Sequence, residues 1–324
     1  MTSPSAASEG HISVLASEVT RALAPALNAL PQPVLVDATA GLGGHTFALL
    51  QQTQPRLAVL LDRDPDALAL ATQRLADAPC PTQLLHAPFS TISATLAAID
   101  VDAVGAIVAD LGVSSIQLDR MERGFSFRGD APLDMRMDPT RGQTVAEVLA
   151  TIETPALAKV LSEFGDEPDA RRIAAAITKL RPTTTAALAQ LVADAMSARQ
   201  RRKLGLRINP ATRTFQALRI LVNDELGELD RFLEDAPDLL AVGGRLAIIT
   251  FHSLEDRRVK RRFRTLSSPP PLPHNLPITE AERPRARFSL VKEFARGLTA
   301  TPAELDTNPR SRSARLRVLQ RDLP

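Results

Sequence analysis

The sequence predicts an α/β fold in which a mostly parallel sheet, built from residues 1–120 and 209–324, is interrupted by a helical insertion over residues 121–208. Three observations predict it. Short aliphatic runs alternate with longer helical patterns through the first third of the chain. Strand patterns then stop after about residue 120 and give way to helix signals alone. They return at Arg245–Phe251 and again near the end. Aliphatic runs of this length between helices are the mark of parallel strands buried on both faces.

In chain order, Val34–Val36 runs into Asp37, Leu57–Leu61 into Asp62, and Ala106–Ala109 into Asp110, with Leu84–Leu85 between the last two. Thr46–Gln52, Pro65–Ala76 and Ser90–Ala98 read as the intervening helices. A loop rich in Gly, Arg, Asp and Met follows over Glu122–Arg141. Thr144-Val-Ala-Glu147 has the form of a capping box, in which hydroxyl and carboxylate satisfy opposing orphan amides. Thr154-Pro155 places a capping hydroxyl before a proline suited to a first turn. Ile173, Ile177 and Leu180 recur at helical spacing, as do Leu188, Leu191, Val192 and Ala195. A helix over Thr212–Leu226 and another ending near Gly243-Gly244 lead into the strand Arg245–Phe251. The proline-rich Pro269–Pro284 reads as a surface connector. Phe288–Val291 and Arg315–Leu319 are expected to close the sheet as a hairpin.

A length of 324 residues suggests about two domains. The single cysteine, Cys80, excludes an intrachain disulfide and suits a reducing compartment. The opening MTSPSAASEGHISVL has neither a basic region nor an apolar run, and no stretch approaches the ~18 apolar residues of a membrane span. The expectation is a soluble cytoplasmic protein with no membrane partner. A net charge of +2 conceals a polarity: from Arg199 onward there are 25 Lys and Arg against 15 Asp and Glu, and before it 14 against 22. Such polarity suits a polyanion such as nucleic acid.

Ligands of open α/β sheets sit beyond the carboxyl ends of the strands. The first strand ends in Asp37-Ala-Thr-Ala-Gly41-Leu-Gly43-Gly44-His45, and glycines in that turn let backbone approach a ligand closely. A dinucleotide fingerprint needs another glycine where Thr46 stands, and no phosphate-loop lysine is present, so both of those readings are disfavoured. Asp62 ends the second strand, where a carboxylate accepts hydrogen bonds from ribose hydroxyls. Asp37 suits a ligand with positive charge, and S-adenosylmethionine carries an ammonium and a sulfonium; a turn-forming role for Asp37 is the alternative. Asp110 stands where a carboxylate could hold the protons of an exocyclic base amine and favour its rehybridised geometry, or else merely cap the next turn. His11, His45, His86, His252 and His274 show no paired ligand spacing, so no metal site is expected. His252 is expected to cap a turn.

The run of motifs resembles a known family, the bacterial small-subunit ribosomal RNA cytosine-N4 methyltransferases (RsmH, also called MraW). The matching segments are His11–Leu15, Asp37–His45, Leu61–Ala67, Asp110–Asp119, Arg123–Phe127, Pro132–Asp138, Asn209–Arg219, Thr250–Arg257 and Asn308–Arg317, in order across almost the whole chain. The resemblance implies a class I methyltransferase (Rossmann-like) sheet with an inserted helical substrate-recognition domain. It implies S-adenosylmethionine as cofactor and a cytidine in the decoding centre of the small ribosomal subunit (16S rRNA) as substrate. Carried over by motif, Gly43, Gly44, His45, Asp62, Phe89, Asp110 and Gln117 are expected to contact the cofactor; the reading of the turn adds Asp37 and Gly41, and the chemistry of the strand end makes Asp110 the candidate catalytic residue. Phe89 would lie against the adenine, with core packing as its rival. The chain departs from the family's pattern at Asn209, where a His is usual, and at Ala16-Ser17.

The basic segment Arg199–Arg207, with Arg213, Arg257, Arg258, Lys260, Arg261 and Arg262, is expected to form a phosphate-binding rim; solvated helix faces are the alternative. One of Phe125 and Phe127 is expected to border the base, unless both anchor their loop in the core. Two rival functions stay open: an enzyme acting on DNA or another RNA, and a cofactor-binding regulator without turnover. A homodimer is also open.

Overall fold

The computed structural model describes residues 12–127, 129–204, 209–270 and 284–324, the side chain of Leu204 excepted. His11, Gly205–Arg207, His274 and most of the proline-rich connector therefore lie outside the described residues. The chain divides into two units, Met1–Gly112 with Glu228–Pro324, and Val113–Gly227.

The first unit opens with α1 (Ala16–Ala29), β1 (Val34–Asp37), α2 (Gly44–Leu50), β2 (Leu57–Asp62), α3 (Pro65–Arg74), β3 (Thr82–His86), α4 (Ile92–Ala97) and β4 (Val104–Asp110). All four expected strands of the first third are present. Alternate residues of each strand face opposite sides of the sheet. Val36, Val59 and Ile107 point into one buried cluster, with Ile92 and Leu96 of α4. Leu35, Leu60 and Val108 point into the other, with Leu23 and Leu27 of α1 and Leu49 of α2. Helix α3 starts on Pro65, with Asp64 accepting from the Asp66 amide at 3.1 Å as its cap.

The second unit is helical: α5 (Ser115–Asp119), α6 (Val145–Thr151), α7 (Thr154–Gly165), α8 (Ala170–Leu180), α9 (Thr185–Ala195), α10 (Ala198–Leu204) and α11 (Thr212–Asn223). It is wider than the 121–208 expected of the insertion. Phe215 and Leu218 of α11 bury themselves with Leu157, Ile173 and Leu188 in one cluster, so packing takes α11 into the helical unit. Thr144 and Glu147 form their capping box. Thr154 does not cap: it lies inside α7 after Glu153, and its hydroxyl is 2.7 Å from that of Thr178. Leu180, although in phase with Ile173 and Ile177, is 66% exposed at the end of its helix.

The chain then passes through α12 (Glu225–Asp235) to β5 (Leu240–Thr250), α13 (Ser253–Leu266), β6 (Phe288–Leu290), β7 (Leu298–Thr299), α14 (Pro302–Thr307) and β8 (Arg315–Arg321). The single helix expected over Thr212–Leu226 is two, broken at Asp224 in the left-handed region (φ 48°). Gly243 and Gly244 lie within β5 rather than after a helix, where its pairing with β4 shifts register between Val104 and Ala106. The sheet order is β3-β2-β1-β4-β5-β8-β6, with β7 also on β8. Strands β1 to β5 run parallel and β8 runs antiparallel between β5 and β6. Phe288–Val291 and Arg315–Leu319 do pair, but β7 and α14 separate them, so they are neighbours and not a tight hairpin. A parallel sheet with this order and a final antiparallel strand is the class I methyltransferase architecture that the resemblance implied.

Candidate functional site

Three adjacent parallel strands each end in an aspartate: Asp62 on β2, Asp37 on β1 and Asp110 on β4. The chain leaves β1 toward β2 on one side and returns to β4 on the other, so the crevice of the order reversal opens between Asp37 and Asp110.

The turn after β1 joins these ends. Gly41 (φ 50°) and Gly43 (φ 73°) take left-handed conformations that a side chain would strain. A Cβ on Gly43 would also press on Leu75 at 3.3 Å. The Gly41 amide donates to Asp62 Oδ2 at 2.7 Å, and the Asp64 amide to its Oδ1 at 2.8 Å. Burial pushes the Asp62 carboxyl up to about 6, against the pull of those two amides.

Asp37 is 1% exposed. Its Oδ1 accepts from the Thr39 amide at 3.3 Å and its Oδ2 from the Thr46 hydroxyl at 2.8 Å. Burial raises its pKa, while His45 and the two hydrogen bonds oppose the rise. Its turn-forming role is therefore real, and it also places a carboxyl beside His45. His45 Nε2 is 3.3 Å from Asp110 Oδ2. Burial on its own would lower the imidazole pKa; the bond to Asp110 and the charges of Asp110, Asp37 and Glu304 outweigh it, and the net shift is upward. His45 Nδ1 and Asp110 Oδ1 are buried with no hydrogen-bond partner among the described residues. A buried unpaired polar atom is costly, so two of them in one crevice mark a place built for a polar ligand.

Thr39 and Thr46 are functional supports that the sequence reading passed over. Thr39 Oγ1 accepts from the Asp110 amide at 2.6 Å and so ties the turn to the end of β4. Thr39 stands inside the Asp37–His45 motif and Thr46 directly follows it, the signal that could have found them.

Phe89 follows β3, partly buried, with its ring edge-on to Phe232 at 5.2 Å. That contact gives the core-packing reading support while leaving part of the ring open. Gln117 belongs to the helical unit, where its Oε1 accepts from the Ser114 amide at 3.0 Å and closes the capping box of α5. His252 caps α13, as expected. Phe125 and Phe127 both pack into the helical unit's core, Phe127 edge-on to Phe215 at 5.5 Å, which supports the anchoring reading. Asn209 Oδ1 accepts from the Ala211 amide at 2.8 Å in the turn that precedes α11.

The basic residues sort by partner. On α13, Arg258 pairs with Asp230 at 3.2 Å and Arg262 donates to the Leu233 carbonyl at 3.0 Å. Arg257, Lys260, Arg261 and Arg264 share one exposed helix face, and their side chains have no hydrogen-bond or ion-pair partner among the described residues. On α10, Arg199, Arg202 and Lys203 are exposed, and Arg201 donates to the carbonyls of Asp194 and Met196.

The sequence model of a family described as "MraW methylase family" matches residues 8–322. A protein of Frankia alni named "Ribosomal RNA small subunit methyltransferase H" is 48% identical over 323 residues, covering 97% of this chain and 96% of that one. One of the same name from Halorhodospira halophila is 49% identical over 304 residues, covering 91% and 90%. A solved structure of an rRNA methylase from Streptococcus thermophilus is 14% identical, covers 97% of this chain and 99% of its own, and matches with a TM-score of 0.40.

Proposed function

We propose, from the premise that this chain belongs to the MraW methylase family, that it transfers a methyl group from S-adenosylmethionine to the N4 amine of a cytidine in the decoding centre of small-subunit ribosomal RNA. Membership makes it a methyltransferase that uses S-adenosylmethionine. One observation carries the finer reading: the carboxylates of Asp37, Asp62 and Asp110 end adjacent strands around a glycine turn, with His45 Nδ1 and Asp110 Oδ1 buried and unpaired.

The residues fit such a donor. When bound, it supplies an electrophilic methyl on a sulfonium. Above about pH 6 Asp62 is ionised and accepts ribose hydroxyls. Gly41 and Gly43 let the turn take its left-handed shape and Gly44 admits Ser13 against the backbone, the acidic groups at Asp37 and Asp110 favour positive charge, and the half-buried Phe89 suits an adenine face. At Asp110, His45 fixes Oδ2, leaving Oδ1 to accept a proton of the exocyclic amine. That bond favours the geometry in which the amine lone pair is free of the ring. An in-line displacement demands position more than a base of matched pKa.

The helical unit is assigned to substrate recognition. The exposed cations of α10 and of the Arg257, Lys260, Arg261 and Arg264 face supply phosphate contacts, so RNA binding weakens steeply with salt. Among the described residues no helix is long and apolar enough to cross a membrane, and an rRNA substrate supports a cytoplasmic location. Sedimentation of the purified chain reads the homodimer expectation directly.

The test is purified protein with methyl-labelled donor and small subunits lacking the modification. Label at cytidine N4 is expected. Absence of label in the RNA rejects this substrate, and label in naked DNA alone moves the substrate to DNA.

A further inference from the structure

The segment before α1 is held by residues nearly three hundred positions away. Leu15 is fully buried and left-handed (φ 53°), a conformation a leucine keeps only when its surroundings enforce it. They do. The Leu15 amide donates to Glu304 Oε1 at 2.7 Å, and Asn308 Nδ2 donates to the Ile12 carbonyl at 3.0 Å. Strapped at both ends, the segment lays Ser13 on the glycine turn, where a Cβ on Gly44 would collide with the Ser13 hydroxyl. That hydroxyl has no hydrogen-bond partner among the described residues and is partly exposed.

A second polar group reaches the same point from another element. Arg74, at the end of α3, brings Nη1 to 3.7 Å from where the Gly44 Cβ would stand. Its guanidinium lies 5.5 Å from the centre of the Phe47 ring, which gives a reason for a phenylalanine to stay 42% exposed on α2. No carboxylate pairs with Arg74 among the described residues. A hydroxyl donor and a guanidinium thus converge on a backbone position without a side chain, one residue before His45. Both are donors for a planar anion. With seven residues, α2 is too short for its end to be counted in the cradle.

We propose that Ser13 and Arg74 bind the carboxylate of the methyl donor at Gly44, with Glu304 and Asn308 as positioning residues. This rests on the donor reading above and deepens it. The donor carries one carboxylate, at its amino-acid end, and cationic or hydroxyl groups elsewhere. The crevice is divided the same way: Asp37, Asp62 and Asp110 on the strand ends, Ser13 and Arg74 at the turn.

Calorimetry on the full chain tests it, with S-adenosylhomocysteine and its decarboxylated analogue as probes. Charge-assisted bonds predict that the wild type prefers the intact compound by about tenfold or more. Ser13→Ala and Arg74→Gln each shrink that preference, and the double variant abolishes it, with affinity for the decarboxylated analogue unchanged in all three. That unchanged affinity also reports that each variant is folded. Glu304→Gln, which keeps an acceptor for the Leu15 amide, retains the preference; Glu304→Ala reduces it. If the full preference persists in the double variant, this proposal is overturned while the donor reading stands. If the wild type binds neither compound, the donor reading falls and takes this assignment with it.

Discussion

At the carboxyl end of the sheet, β1, β2 and β4 deliver three aspartates into a tight turn; at the amino end, the loops before β1 and β2 line a cavity of about 750 Å³ with Gln32, Gln51, Gln52, Gln54 and Arg56. The amino end holds amides on largely exposed side chains and, in that cavity, a single exposed arginine. The carboxyl end holds Asp37 and His45 nearly out of solvent, with carboxyl and imidazole pKa values displaced by burial and by one another. Amides on the surface are satisfied by water. A buried carboxylate beside a buried imidazole is not, and the fold accepts that cost where a ligand can offset it. An exposed cavity lined by amides and the buried, mutually perturbed groups lie at opposite ends of the same strands, and the chemistry is the better guide to the site.

That contrast breaks first at Asp110. Replacing it with Ala should slow single-turnover methylation on the order of 10²–10³-fold, as loss of one preorganised contact to developing charge does, with a smaller loss in RNA affinity. Near wild-type speed would remove Asp110 from the chemistry. Asp62 sharpens the picture through pH. Its carboxyl is raised from 3.8 to about 6, so the folded chain holds that proton more tightly than the unfolded one. Its contribution to stability is present below about pH 4 and is lost as pH rises through about 6. Donor binding runs the other way: affinity for S-adenosylhomocysteine should fall about tenfold per unit below pH 6, the limit when one ionised group is required. Asp62→Asn should bind more weakly at pH 8 and flatten that profile in calorimetry.

A smaller effect is expected of Gly43→Ala. A side chain in the left-handed region costs roughly 1–2 kcal/mol, and here it also meets Leu75. Calorimetric melting should show a loss of a few degrees, together with weaker donor binding. Smallest of all is Arg56→Gln at the amino end, where an exposed substitution should leave donor affinity and methylation within about twofold of wild type. A larger change there would mean that the cavity shares in the function.

The strands of the first third were legible because a buried parallel strand needs aliphatic side chains on both faces, and few other structures do. Asp37, Asp62 and Asp110 were legible from their place at the ends of those runs. The boundaries of the helical unit were not: the amphipathic pattern of α11 says that it packs, and only the presence of Leu157 and Ile173 says against what. Leu180 has the right spacing and sits beyond the end of the buried face. Thr39, inside the glycine-turn motif, and Thr46, just after it, gave no sign of their hydrogen bonds, since a hydroxyl has no pattern until its partner is placed. Ser13 and Asn308 lay in matching segments at opposite ends of the chain, but nothing in either segment showed that they meet, and Glu304 lay in none; what joins them is a contact across most of the chain.

The order in which those pieces leave the ribosome has a consequence of its own. Asp37, Asp62 and Asp110 are synthesised early, yet β5, which covers the open edge of β4, follows the entire helical unit. Glu304 and Asn308 come later still. A stop codon shortly before position 304 would therefore leave Asp37, Asp62 and Asp110 in the chain while removing both hydrogen bonds that hold Ser13 on the glycine turn.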